Sequence, residues 1–162
     1  MTTAGFDGAQ VARASELVAD QARQDIAALS DSDLMDAHDA VARLGRLADT
    51  LRARFAGEVA RRSTAEAPGG GLARRQGFGD APGLVSRVTG GSKAGARRAI
   101  DAGKALLPDV AAGVDTGRGA DRSSSPTPAR YPAVAEAALS GDLSVDAAAL
   151  ITSGLESLSD RM

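Results

Sequence analysis

The residues best able to do chemistry in this sequence are cations. Between positions 72 and 104, Arg74, Arg75, Arg87, Lys93, Arg97, Arg98 and Lys104 face only Asp80 and Asp101, a local net charge of +5. Clustered guanidinium and ammonium groups bind phosphates, and arginine also reads guanine edges. The spacing adds to this. Leu84-Val85-Ser86-Arg87-Val88, then Gly90 and Ser92, then Ala96-Arg97-Arg98-Ala99-Ile100 follows the order of a helix-turn-helix: a short helix, a glycine turn and a Ser-capped second helix with a basic face. At about 100° per residue, Lys93, Arg97, Asp101 and Lys104 share one side of the second helix. Arg98 lies at the margin, and Ala96, Ala99, Ile100, Gly103 and Leu107 face the opposite way. The turn is one residue longer than usual, and Gly91 stands where a buried aliphatic is common. Two amphipathic helices with a solvated basic face would produce the same pattern.

Other chemistry finds few residues to work with. There is no Cys, Trp or Asn, and His38 is the only histidine. Disulfides and zinc-thiolate sites are excluded. Ser123, Ser124 and Ser125 have no histidine nearby in sequence to serve as a base. Gly77-Phe78-Gly79-Asp80-Ala81-Pro82-Gly83 follows no strand, and Gly103-Lys104 lacks the hydroxyl of a phosphate loop. Asp31, Asp33, Asp36 and Asp39 fan around a helix start, where carboxylates serve the helix dipole better than a cation. The reading is of a non-catalytic chain with no metal and no cofactor. With 2% aromatic residues, stacking platforms for single strands are scarce, so double-stranded DNA is the expected nucleic acid.

These residues must be positioned by helices. The chain has 162 residues, 43% of them hydrophobic, but 35 are alanine. Such a core must be thin, with helices packed closely. Residues 9–29 carry a helical period, and Ser30 to Asp33 supplies a stop and a capping box. Leu34, Ala37, Val41, Leu44, Ala48, Leu51, Phe55 and Val59 then form a heptad-like stripe. Residues 1–63 read as an acidic arm and long antiparallel hairpin, and 64–80 as a Gly-rich linker. Residues 81–112 form the helix-turn-helix-like unit, 113–130 a flexible loop, and 131–162 a C-terminal helix pair. No segment alternates like a strand, so the fold class is all-α. The formal net charge of −2 conceals blocks: −6 over residues 1–42, +4 over 43–63 and −4 over 132–162. Acidic and basic blocks can also neutralise one another within the fold.

The order of these features resembles a known family. A striped helix ending in arginines leads through glycines to Val85…Gly90-Gly91-Ser92…Ala96-Arg97-Arg98 and Ala105-Leu106-Leu107-Pro108. Pro128-Ala129-Arg130-Tyr131-Pro132 through Gly141-Asp142-Leu143-Ser144 to Ala149-Leu150-Ile151 follows. This is similar to the N-terminal part of the 13E12 repeat family, a helical domain usually found ahead of an HNH endonuclease module, over about residues 15–160. The resemblance implies a DNA-associated parent protein and a chain that is an N-terminal fragment of it. One His and no Asn cannot build an HNH centre. The expected role is a DNA-binding or targeting helical region without the nuclease, contacting duplex through Arg87, Lys93, Arg97, Arg98 and Lys104, with Arg74 and Arg75 as an arm. The alternative is an interaction scaffold that forms homo-oligomers through the 10–62 hairpin. No membrane span or targeting signal is visible, which makes a cytoplasmic protein the default.

Overall fold

The structure is a computed structural model that describes residues 5–107 and 129–159. Among these residues the regular elements are helical and there is no strand, so the fold is all-α. The chain divides into two compact units, Met1–Ala40 and Val41–Met162.

In the first unit, Asp7 accepts a hydrogen bond from the Ala9 N–H at 2.9 Å and starts α1 (Gly8–Gln21). The apolar period predicts one helix over 9–29, yet α1 stops at Gln21 and a separate 3-10 turn forms at Ile26–Ala28. The cause is local. Asp25 turns its carboxylate onto the Ala27 N–H at 3.0 Å, the side-chain bond by which Asp competes with a continuing helix. Ser30 then caps α2 (Asp31–Arg61) as predicted, accepting from the Asp33 N–H at 3.2 Å. The Ser30 hydroxyl in turn donates to the Asp33 carboxylate at 2.7 Å. The two helices and polar turn of the expected hairpin are therefore present, but every residue from 5 to 40 is exposed, so this unit has no core.

The second unit contains the core, and it is built of small residues. Eight of its eleven buried apolar residues among those described are alanine. One cluster joins Ala53, Ala102, Leu106, Ala135, Ala138 and Ala148, and another joins Ala56, Val85, Ala96 and Ile100. Alanine provides little area per side chain, so the helices must approach closely to gain contact. The tightest point is where α2 meets α5 (Lys93–Leu106). A Cβ on Gly103 would stand 1.8 Å from the Ala53 carbonyl oxygen, and one on Gly57 would stand 2.7 Å from the Gly103 carbonyl carbon.

Residues 64–80, glycine-rich in sequence, contain a 3-10 turn (Pro68–Gly70) and α3 (Gly71–Arg75). The Leu72 N–H donates to the Arg62 carbonyl at 2.7 Å and the Ala73 N–H to Ser63 Oγ at 3.1 Å, tying α3 to the end of α2. After α4 (Ala81–Thr89) and α5, the C-terminal pair is α6 (Pro132–Leu139) and α7 (Val145–Ser159). The loop expected over 113–130 lies outside the described residues up to position 128, and so do Ser123, Ser124 and Ser125. No helix among the described residues is long and apolar enough to cross a membrane.

Candidate nucleic-acid interface

Local bonds build the helix-turn-helix-like unit. Asp80 accepts from the Gly83 N–H at 2.7 Å and starts α4. Gly90 ends α4 at φ +68°, a left-handed conformation that glycine adopts without steric cost. Ser92 accepts from the Gly95 N–H at 3.1 Å and starts α5. Val85 of α4 packs with Ala96 and Ile100 of α5, over Ala56 of α2.

The predicted faces of α5 agree with this packing. Ala96, Ile100 and Gly103 are buried, Ala99 and Leu107 are half-buried, and Ala102 and Leu106 join the buried side. Lys93, Arg97, Arg98, Asp101 and Lys104 are exposed, as is Arg87 in the last turn of α4. Arg87, Arg98 and Lys104 form no ion pair among the described residues. Arg74 and Arg75 occupy the last turn of α3, which contacts α4. The sequence reading had them on an arm; the structure places them on a helix fixed to α2, with the Arg75 guanidinium donating to the Pro68 carbonyl.

Sequence reasoning missed the second role of Asp80. Lys93 Nζ stands 3.4 Å from its carboxylate. The Gly83 hydrogen bond, then the charges of Lys93 and Arg97, hold the Asp80 carboxyl below the ordinary carboxylate range. No short-range pattern links positions 80 and 93; folding the starts of α4 and α5 together creates the pair.

The other basic block is used differently. Arg43 donates from Nε and Nη2 to the Ser140 carbonyl at 3.1 and 2.9 Å, and Arg46 Nε to the Gly141 carbonyl at 2.6 Å. Thr50, buried, donates from its hydroxyl with distances of 2.9 Å to the Arg46 carbonyl and 3.1 Å to that of Ala138. Together they satisfy the carbonyl end of α6. Arg52 pairs with Asp49 at 2.7 Å, while Arg61 and Arg62 share Glu58. Neutralisation within the fold thus accounts for much of block 43–63, and for Lys93 alone among the α4–α5 cations.

A groove of about 1750 Å³ runs between α2, α5 and α7. Its walls set Arg98 and Lys104 against Asp49, Asp101, Asp146 and Glu156, so it is not a single-sign anion pocket. No group of three or more metal-ligating side chains forms among the described residues. No family model, curated protein or solved structure matches the chain.

Proposed function

We propose that this chain is a DNA-binding or targeting helical region that docks on duplex DNA through α4 and α5. The observation that carries the reading is the exposure of Arg87, Lys93, Arg97, Arg98 and Lys104 on two helices packed into one helix–turn–helix unit. A rigid base holds the cations, so less side-chain and backbone order has to be imposed on binding. Lys93 and Arg97 project from the first turns of α5, the end that meets base edges when such a helix enters the major groove. Arg74 and Arg75, on α3, supply flanking phosphate contacts. Support also comes from the resemblance to the 13E12 repeat family, whose members are associated with HNH nucleases. With one His and no Asn in the chain, we assign it no catalytic step.

Fluorescence anisotropy of a labelled duplex at about 50 and 200 mM salt tests the proposal. Five phosphate contacts would weaken binding by about 500-fold across that range, from a log–log slope of about −4.5. The triple substitution Lys93→Ala, Arg97→Ala, Arg98→Ala would reduce the slope magnitude by about 2.7. A folded chain that binds no duplex at the lower salt, or a triple variant that binds unchanged, would refute the reading.

A further inference from the structure

The large apolar side chains of α2 and its core contacts lie on different faces. Counted at about 100° per residue from buried Thr50, Ala53 and Gly57 fall within about 60°, whereas Val41, Leu44, Ala48 and Leu51 fall between about 100° and 180°. The second unit therefore grips α2 by its small residues. The heptad-like stripe points away: Val41 is 66% exposed and Leu44 41%, and Leu34, one repeat earlier, is 41% exposed. A repeated 3–4 apolar stripe is the pattern by which helices pair.

Charge along the same helix identifies the occupant. Asp31, Asp33, Asp36 and Asp39 occupy its N-terminal third, and six arginines from Arg43 to Arg62 follow, against Asp49 and Glu58. A second helix of this sequence laid parallel would place acid on acid and base on base. Laid antiparallel, it places each acidic end on a basic one. We propose that a second copy of this chain packs antiparallel along the α2 stripe, forming a two-fold symmetric pair. The 3–4 spacing sets one register. Val41 lies beside Leu51 of the second copy and Leu44 beside its Ala48, with the symmetry axis crossing α2 at position 46. In that register Asp33 lies near Arg61 of the second copy. This pairing uses neither α4 nor α5 and needs no nucleic acid, so it stands or falls independently of the DNA reading.

Sedimentation of the full chain without DNA, at tens of micromolar, tests it. The expected result is a dimer that becomes a monomer in the double variant Val41→Asp, Leu44→Asp, with helical circular dichroism unchanged because both side chains are exposed. Orientation is read with cysteines, since the chain has none of its own. A mixture of the Val41→Cys and Leu51→Cys chains forms the mixed disulfide on mild oxidation, and Val41→Cys alone does not cross-link. A monomeric wild type, a dimeric double variant, self-cross-linking of Val41→Cys, or no mixed disulfide would each overturn the proposal.

Discussion

At the scale of single residues, the smallest side chains carry the tightest constraints. Gly57 and Gly103 let two backbones touch where a Cβ on Gly103 would meet a carbonyl oxygen at 1.8 Å. Gly103→Ala is expected to destabilise the protein by about 3 kcal/mol, the upper range for overpacking, despite the better helix propensity of alanine. Gly45→Ala, also in α2 but with nothing within 4 Å of the new Cβ, should instead stabilise by up to about 1 kcal/mol. Urea unfolding of the two variants should show opposite signs. Glu58 makes a second test. Hydrogen bonding from Arg61, then from Arg62, outweighs the opposing effect of burial and lowers its pKa from 4.5 to about 2. A carboxylate whose pKa is depressed in the folded state adds stability above its unfolded value, and that stability is lost as pH falls through the folded value. Glu58→Gln should therefore cost about 1 kcal/mol near neutrality. The difference from wild type should shrink below pH 4.5 and vanish near pH 2 in unfolding measured across that window.

At the scale of elements, capping and periodicity placed the helices well. Asp80 and Ser92 cap the helices expected of them, and the buried and exposed sides of α5 are those its spacing predicts. Ser92→Ala should cost about 1 kcal/mol and Ser92→Asp little, since either oxygen can accept from the Gly95 N–H. Chemical denaturation of the pair would show whether the cap or the hydroxyl itself matters. Periodicity failed for α2, where the most regular stripe in the sequence is not the core face. The core takes Thr50, Ala53, Ala56 and Gly57, because close backbone approach rewards small residues more than large ones. Hydropathy assigns burial by size, so it points to the wrong side of this helix.

At the scale of the whole molecule, charge was visible as blocks but its uses were not. The blocks over 43–63 and 72–104 look alike in sequence. In the structure, Arg43 and Arg46 cap α6 while Arg87, Arg98 and Lys104 stay exposed and outside any ion pair among the described residues. Helix content, the α4–α5 unit and its candidate phosphate contacts follow from interactions spanning four residues or fewer, which is why they can be read along the chain. The partners of Arg43 and Arg46 lie 97 and 95 residues away, and Lys93 meets Asp80 across 13. The glycine crossing joins helices 46 positions apart, from Gly57 to Gly103. Such pairings depend on how the helices are brought together, because a hydrogen bond or a backbone contact specifies a distance in space and leaves no period in the sequence.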